Sequence, residues 1–391
     1  MKKFKKVLSL ILTAVLAMSV LAACGNNDNA TTFRIGGIGP LSGGAAIYGI
    51  AVRNGAQIAV DEINAAGGIG GVEIEFRMED DEHDAEKSVN AYNTLKDWGM
   101  KILMGTVTST PCLAVIPHSS ADNVFQITPS ASSARVVAGN DNVFQVCFND
   151  PNQGIGSAQY IGQVGILTAS GDFVSNVAII YDSSCPYSSG IYDKFILEAA
   201  NQPFNIVTTE AFTGESNTDF SVQLQKARDA GADMVFLPIY YKEAALILTQ
   251  AAAMDFNPVF FGCDGLDGIL AVENFNTDLA EGVILLTPFV ASASDSKTQA
   301  FVSEYQRRHG EVPNQFAAGA YDAIYVIKAA IEHSGATHRM SVSELGDALK
   351  KAITEISYNG ITGENMTWLP TGEVNKAPKA MIIRNGVYVG L

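Results

Sequence analysis

Two loops carry residue types that can bind opposite charges. Ser109-Thr110-Pro111 reads as a helix start, with a hydroxyl N-cap and a proline in the first turn. The free N–H groups of a helix N-terminus suit an anion such as a carboxylate. Asp264 lies in a glycine turn after a strand-like run and can bind a cation. An ordinary helix cap and a solvated turn are the plain alternatives, but together the loops offer both groups that a zwitterion such as an amino acid requires.

Other chemistries have weaker support in the sequence. The glycine-rich stretch 36–44 lacks the GK[ST] ending and reads GxGxxS rather than GxGxxG, so it does not predict a phosphate cradle. The acidic run 80–84 lacks the spacing of a calcium loop and is predicted to be a solvated strand-end loop. Cys185 has no histidine base indicated by the sequence. We therefore expect no enzyme activity, no metal and no cofactor.

The elements that position the two loops follow an alternating pattern. From Phe33 onward, short apolar runs rich in strand-forming residues alternate with helical stretches, which predicts parallel sheets with helices on both faces. The alternation is interrupted around Asn140–Asn152 and again near Leu285–Phe289, which we interpret as crossings between two lobes. Parallel sheets of this class bind ligands at the carboxyl ends of their strands, where both loops lie.

Length and charge limit the classes of partner. The chain has 391 residues, of which 47% are hydrophobic and 17% charged, a globular composition long enough for two domains. The formal net charge is −16. Nucleic-acid binders need a basic face to neutralise phosphates, so nucleic acid is not an expected partner. The negative net charge also disfavours peripheral binding to a surface of anionic lipid.

The N-terminus reads as an export signal. Four lysines among the first six residues precede an apolar run from Val7 to Ala23, and the run ends in Leu21-Ala22-Ala23-Cys24. This ending resembles the bacterial lipobox, so we expect lipid attachment at Cys24, a tether to Thr32 and an extracytoplasmic location at the cell membrane, which is periplasmic if an outer membrane is present. Removal of residues 1–23 takes four lysines and changes the formal charge from −16 to −20. A transmembrane anchor is the alternative, although the run is shorter than the roughly 20 residues that span a bilayer.

The other cysteines leave their redox state open. Cys112, Cys147, Cys185 and Cys263 show no CxxC spacing, so the sequence does not support a zinc or redox site. Disulfide bonds between these cysteines and partly buried free thiols are equally compatible with the sequence.

Three stretches together resemble one family. They are IGPLSG at 38–43, continued by a helix that ends in DEINAAGGI at 61–69, then GTVTSTP at 105–111, and FGCDG at 261–265. From about Phe33 to the C-terminus the chain resembles the periplasmic binding proteins for leucine, isoleucine and valine. The resemblance implies two doubly wound, Rossmann-like α/β lobes joined by a three-strand hinge, the type 1 periplasmic-binding fold. After the signal at 1–23 and the tether at 24–32, which the N-terminal residues predict, the resemblance implies a first lobe at 33–147 and 287–355 and a second lobe at 148–286 and 356–391.

The resemblance also implies a ligand site. The family binds the α-carboxylate at the position of Ser109 and Thr110, and the α-ammonium at the position of Asp264, where the leucine-type pattern has a glutamate. Of the adjacent tyrosines 240 and 241, we expect only Tyr240 to face the cleft. The remaining implied positions are small residues in the loop Thr128–Ser132 and rings around the ligand side chain: Ser130, Ala131, Ser132, Tyr48, Tyr187 and Phe316.

The implied function is reversible capture of a branched-chain or other neutral amino acid by a monomeric lipoprotein that serves the permease subunits of an ABC importer. The alternative is a ligand-sensing module of the same fold for another solute, such as an amide or an aromatic acid. The identity of the ligand side chain stays open at this point.

Overall fold

The computed structural model describes residues 31–168, 170–214 and 216–391, so the export signal and Cys24 lie outside the described residues. The described strands are β1 (Phe33–Gly39), β2 (Ile74–Asp80), β3 (Ile102–Gly105), β4 (Phe125–Thr128), β5 (Val143–Gln145), β6 (Asn176–Asp182), β7 (Asn205–Phe212), β8 (Met234–Leu237), β9 (Val259–Gly262), β10 (Ile284–Thr287), β11 (Lys379–Arg384) and β12 (Val387–Gly390). The described α-helices are α1 (Ala46–Ala65), α2 (Ala85–Trp98), α3 (Ser109–Ala121), α4 (Ala134–Val137), α5 (Asp150–Val164), α6 (Pro186–Ala199), α7 (Ser221–Asp229), α8 (Tyr241–Ala253), α9 (Ser296–His309), α10 (Gln315–Ser334) and α11 (Val342–Ile353).

The strands form two sheets, which define two lobes. The first sheet has the order β2-β1-β3-β4-β5 and is parallel throughout, with Ile35 of β1 opposite Ile102 of β3. The second has the order β12-β11-β10-β9-β8-β6-β7, in which only β11 and β12 run antiparallel to their neighbours. In each sheet the strand order reverses beside the first strand, at β1 in one and β6 in the other. These reversals are the switch points where doubly wound sheets bind ligands.

The chain passes between the two sheets three times. It leaves the first sheet after β5, and after β10 it returns to place α10 against α1 and α11 against β4. It then re-enters the second sheet at β11. Before that entry, the indole N–H of Trp368 donates to the carbonyl of Gln145 at 2.8 Å, so this segment lies against the end of β5. The predicted lobe boundaries remain predictions at the level of single residues.

Local signals in the sequence explain where helices begin and end. Helix α2 begins after Asp84, whose carboxylate accepts from two backbone N–H groups, and ends at Gly99 with φ of 89°. Helix α11 begins with a capping box between Ser341 and Glu344. Helix α1 ends where the sequence predicts, before the left-handed Gly67.

The core of the first lobe includes a close pair of helices. Helices α1 and α10 pack so tightly at Gly55 that an added Cβ would lie 2.1 Å from the carbonyl oxygen of Ala317. Only glycine permits that approach. Because α1 and α10 both start at the inter-lobe cleft, this packing fixes the positions of Tyr48 and Phe316 near their N-terminal ends.

The α/β class and the two-lobe arrangement are confirmed. The four cysteines of the described residues are all free thiols, so none of them forms a disulfide bond: Cys112, Cys147, Cys185 and Cys263. None of the helices in the described ranges is long and apolar enough to cross a membrane.

Candidate functional site

The predicted residues follow strands at both switch points. Tyr48 lies at the start of the helix after β1, and Ser109 begins the helix after β3. From the second lobe, Tyr187, Tyr240 and Asp264 follow β6, β8 and β9 respectively. The lobes meet here, since the Tyr48 hydroxyl donates to the carbonyl of Gly265 in the second lobe. The carboxyl ends of the two sheets therefore face each other across one closed cleft.

The start of α3 differs by one residue from the prediction. Thr108 is the N-cap, in extended conformation and without a side-chain capping bond, so the predicted hydroxyl cap at Ser109 is wrong. Thr108 instead shares a 2.8 Å hydrogen bond with Nδ1 of His83. Ser109 is buried, and its hydroxyl oxygen accepts from the backbone N–H of Ser133 at 3.2 Å. Thr110 is half-buried at the next position of the helix.

The loop after β4 is braced by its own hydroxyls. The Thr128 hydroxyl donates to the carbonyl of Thr106 at 2.7 Å and accepts from the N–H of Ala131 at 2.8 Å. The Ser130 hydroxyl donates to the carbonyl of Val107 at 2.6 Å. These bonds tie the two loops of the first lobe together, so the N–H groups and hydroxyls of this half are held in place before any ligand arrives.

Asp264 lies in a buried turn and is 2% exposed. The Tyr187 hydroxyl donates to Oδ1 of Asp264 at 2.9 Å and accepts from the N–H of Gly265 at 2.9 Å. An added Cβ at Gly265 would lie 2.6 Å from that hydroxyl, which explains the glycine. Burial raises the pKa of Asp264 to about 7, and the bond from Tyr187 opposes the rise.

Sequence reasoning missed Asp150, the first residue of α5. Its side chain is fully buried, and neither carboxyl oxygen has a hydrogen-bond partner within the described residues. Burial raises its pKa well above the usual range, and the charge of Asp264 adds to the rise. The nearby Ser132 hydroxyl opposes it, although its geometry is not that of a hydrogen bond. The N–H of Asp150 donates to the carbonyl of Ser132 at 2.9 Å. The position of Asp150 at the predicted crossing between the lobes could have indicated a site residue. Asn149-Asp150-Pro151 is, however, also typical of an ordinary helix start.

Gln153, one turn further along α5, was also missed. Its side-chain oxygen accepts from the N–H of Asp264 at 3.2 Å, and its amide donates to the carbonyl of Phe148 at 2.9 Å. Gln153 therefore connects the crossing after β5 to the turn that carries Asp264, and it places the two carboxyl groups in one cluster.

The predicted rings come together around these groups. Tyr187 stacks on Tyr240 with ring centroids 4.9 Å apart, and Tyr48 stacks on Phe316 at 4.0 Å. Tyr48 meets Tyr240 edge-on at 5.5 Å. The expectation that only one of the adjacent tyrosines faces the cleft is wrong, since Tyr241 also contacts Tyr48 at 4.7 Å. Tyr241 can do so because it begins α8 and its hydroxyl reaches the carbonyl of Gly44 across the cleft.

The acidic run 80–84 is only in part the solvated strand-end loop that the sequence predicts, since Glu82 and Asp84 are exposed but Asp81 is buried. Asp81 is fully buried, accepts from the N–H of His83 at 2.8 Å, and burial raises its pKa to about 7. Asp80 accepts from the N–H of Leu41 at 2.8 Å and from the hydroxyl of Ser42 at 2.7 Å. The run braces the loop after β1 and brings His83 within 5.6 Å of the Tyr240 ring. Among the described residues no group of His, Cys, Asp and Glu is arranged to hold a metal ion.

Fold and site together define a two-lobed protein that encloses a small solute in its cleft. Residues 32–384 match the profile of the family described as periplasmic binding protein. The chain belongs to that family, and it is a solute-binding protein of the ABC transporter class, which works outside the cytoplasm, rather than an enzyme.

Relatives and solved structures agree with this assignment. The chain is 30% identical to the Leu/Ile/Val-binding protein BraC3 of Rhizobium johnstonii over 92% of its own length and 94% of that protein. The Streptococcus pneumoniae protein LivJ, solved with isoleucine, is 28% identical with a TM-score of 0.80, over 92% of this chain and all of that one. A Rhodopseudomonas palustris (R. palustris) solute-binding protein in complex with benzoate has the same TM-score at 19% identity, over 92% and 95% of the two chains, and shows the fold alone.

Proposed function

We propose that this protein binds a neutral aliphatic amino acid, with the α-ammonium group at Asp264 and Asp150 and the α-carboxylate at the start of α3. The observation that carries the proposal is the buried Asp150 carboxyl, which has no partner within the described residues and lies one helical turn from Gln153, whose side chain accepts from the N–H of Asp264. A buried carboxyl without a partner is costly, and a ligand ammonium would satisfy it. The first lobe offers the complementary half at the start of α3, where the Ser109 hydroxyl accepts from the N–H of Ser133 and donates to no partner within the described residues.

The charges of the cleft favour an amino acid over an aromatic acid. An ammonium group neutralises carboxylates, whereas an acid without an ammonium would add a further negative charge or require Asp150 and Asp264 to stay protonated. Likeness to the benzoate-binding structure concerns the fold and gives no support for an aromatic acid here.

The rings around the cleft support an apolar ligand side chain. Tyr48, Tyr187, Tyr240 and Phe316 are buried or nearly buried and present ring faces and edges. Apolar and aromatic walls with a few placed polar groups are typical of small-molecule sites. Since BraC3 of Rhizobium johnstonii is a Leu/Ile/Val-binding protein and LivJ of Streptococcus pneumoniae was solved with isoleucine, we infer a branched-chain ligand for this chain as well.

A thermal-shift screen of the purified protein against amino acids, amides, nucleobases, sugars and aromatic acids tests the proposal. A ligand that binds only the folded state stabilises it by RT ln(1 + [L]/Kd), so a Kd of about 10 µM gives a clear shift at about 1 mM ligand. We expect a shift with leucine, isoleucine or valine that Asp264→Ala and Ser109→Ala each abolish. Asp322→Asn is the matched control, because it changes another fully buried carboxyl outside the cleft.

A shift produced only by solutes without an α-ammonium would overturn the amino-acid assignment and the role of Asp264. The family and the fold would still stand in that case, and the sensing of another solute would become the working hypothesis.

We also propose that Cys24 carries the lipid that holds the protein at the membrane, where a monomer delivers its ligand to the permease subunits. The support is the lysine-rich start, the apolar run and the Leu-Ala-Ala-Cys ending. Metabolic labelling with radioactive palmitate in a bacterial host should label the wild type and Cys112→Ala but not Cys24→Ala. Equal labelling of the wild type and Cys24→Ala would contradict the anchor.

A further inference from the structure

A cavity lies between the lobes, away from the cluster of residues described above. Its volume is about 890 Å³, within the range of about 300–1,000 Å³ that is usual for small-molecule sites. None of the predicted site residues lines it. Its walls come from both lobes, with Ile47, Tyr305 and Val312 on one side and Leu270, Tyr388 and Val389 on the other.

The polar residues that line this mostly apolar space include Asp267, Glu311 and Asn314. Asp267 is 1% exposed and uses Oδ2 to accept from the backbone N–H of Gln315 at 2.7 Å. Its other oxygen, Oδ1, is buried and has no hydrogen-bond partner within the described residues, and neither has Nε2 of Gln315. A buried acceptor without a donor is destabilising, so a donor that reached Oδ1 would stabilise the folded state.

The mouth of the cavity is apolar as well. Val312 and Val387 are 54% and 55% exposed, and Val389 is 37% exposed. Clustered exposed apolar side chains around a concavity indicate a binding surface. An occupant therefore needs an apolar body for the walls and a donating head for Asp267.

We propose that this cavity is a second ligand site, distinct from the amino-acid site, for a small aliphatic primary amine whose ammonium head donates to Oδ1 of Asp267. An ammonium suits the position better than a neutral donor because the acceptor is a buried carboxyl, and hydrogen bonds between charged groups are the stronger ones. The aliphatic body lies between Leu270 and Val389 of the second lobe and Ile47 and Val312 of the first.

Because the walls come from both lobes, an occupant binds the closed form better than an open one. By linkage it then raises the affinity for the cleft solute, and the solute raises its affinity by the same factor. The coupling between the two sites rests on the proposed binding of an amino acid in the cleft, whereas the proposal of the second site does not.

Isothermal titration of the purified protein with 1-hexylamine, and separately with 1-hexanol, tests the site. We expect hexylamine to bind the wild type, and Asp267→Asn to weaken it by roughly tenfold while leaving hexanol little changed, since the asparagine keeps an oxygen for the Gln315 N–H but loses the charge. Val389→Trp changes an exposed residue at the mouth and should reduce the binding of both probes by filling the cavity. Circular dichroism and thermal unfolding verify that each variant is folded.

Three results overturn the second site. The first is no heat with hexylamine in the wild type, and the second is equal binding in the wild type and in Val389→Trp. The third is hexylamine binding that Asp264→Ala abolishes and Asp267→Asn leaves unchanged, which would place the amine in the cleft. If leucine binding is instead lost in Val389→Trp and retained in Asp264→Ala, the proposed amino-acid site fails and this cavity is where the solute binds.

Discussion

Two buried aspartates, Asp322 in the first lobe and Asp150 in the cleft, differ in whether their carboxyl oxygens accept hydrogen bonds from the protein. In the first lobe, Asp322 of α10 accepts from the N–H groups of Ile361 and Thr362 at 3.0 and 2.9 Å, and from the Thr362 hydroxyl. In the cleft, Asp150 accepts nothing within the described residues. Both side chains are fully buried, and burial raises the pKa of each.

The comparison shows that burial of an acid does not by itself identify a ligand site. Asp322 holds the segment that follows α11 against α10, and the charge of Lys376 stabilises its ionised form. Its hydrogen-bonding capacity is largely used by the protein. Both oxygens of Asp150 lack a partner within the described residues, so this acid, unlike Asp322, keeps the acceptor capacity that a ligand ammonium requires. The predictions below separate these two kinds of acid.

The largest effect is expected for Asp150→Asn on ligand affinity. Removal of one partner from a buried charge pair costs about 3–5 kcal/mol, so leucine affinity should fall by at least roughly a hundredfold. The free energy of unfolding without ligand should stay the same or increase, because at neutral pH the wild-type carboxyl destabilises the folded state. Titration calorimetry and urea unfolding measure the two quantities. A variant that loses stability while keeping its affinity would make Asp150 a structural residue.

Asp322→Asn should show the reverse pattern. An asparagine cannot accept all the bonds of the carboxylate and leaves buried donors unpaired, which costs about 2–3 kcal/mol of unfolding free energy. Leucine affinity of the folded protein should not change, since Asp322 lies outside the cleft. Reduced affinity with unchanged stability would contradict the distinction between the two aspartates.

Much of the fold could be predicted from the sequence because capping residues and apolar periodicity determine where its helices and strands lie. The apolar periodicity of the sequence predicts a helix at Ala85–Trp98, and α2 has these bounds, since Asp84 caps its start and Gly99 its end. The placement of Ser109 and Asp264 at the ends of strands also followed from the strand–helix alternation. Helix α1 begins at Ala46, five residues before the start at Ala51 that periodicity predicts, and its first turn carries Tyr48, which contacts the opposite lobe.

The missed residues share one physical reason. The roles of Asp150 and Gln153 depend on the approach of α5 to the turn after β9, a contact between residues more than a hundred positions apart. The run 80–84 was predicted to be solvated because acids usually are, and this holds for Glu82 and Asp84, whereas Asp80 accepts from the N–H of Leu41 in the loop after β1. Tertiary contacts of this kind leave no periodic signal in the sequence.

The pH dependence of affinity should be smaller, about tenfold. Because burial raises the pKa of Asp264 to about 7, the carboxylate that binds an ammonium is mostly protonated at pH 6 and mostly ionised at pH 8. Leucine affinity should therefore rise by roughly tenfold from pH 6 to pH 8. Calorimetry in buffers of different ionisation enthalpy should also detect proton release on binding. A ligand with a carboxylate and no ammonium would show the opposite slope, so the sign separates the amino-acid reading from an aromatic acid.

The same raised pKa values affect the stability of the protein without ligand. Asp81, Asp264 and Asp267 each have a pKa near 7 when folded, above the value of about 3.9 for an unfolded aspartate. Between those values the folded state binds more protons, so stability should fall as the pH rises from about 4 toward 7. Urea unfolding at pH 5 and pH 8 measures the change, and Asp264→Asn should reduce the slope.

The smallest effect is expected for Tyr48→Phe. The ring can keep its stack on Phe316 at 4.0 Å, while the hydrogen bond to Gly265 in the other lobe is lost. Only the closed form makes that bond, so the change should weaken leucine binding by about 1 kcal/mol, or roughly fivefold, with little effect on unfolding. Tyr92→Phe is the matched control, because its hydroxyl donates to Asp122 within the first lobe at 2.9 Å. It should affect unfolding and leave affinity unchanged. Equal affinities of the wild type and Tyr48→Phe would mean that lobe closure does not depend on this inter-lobe bond.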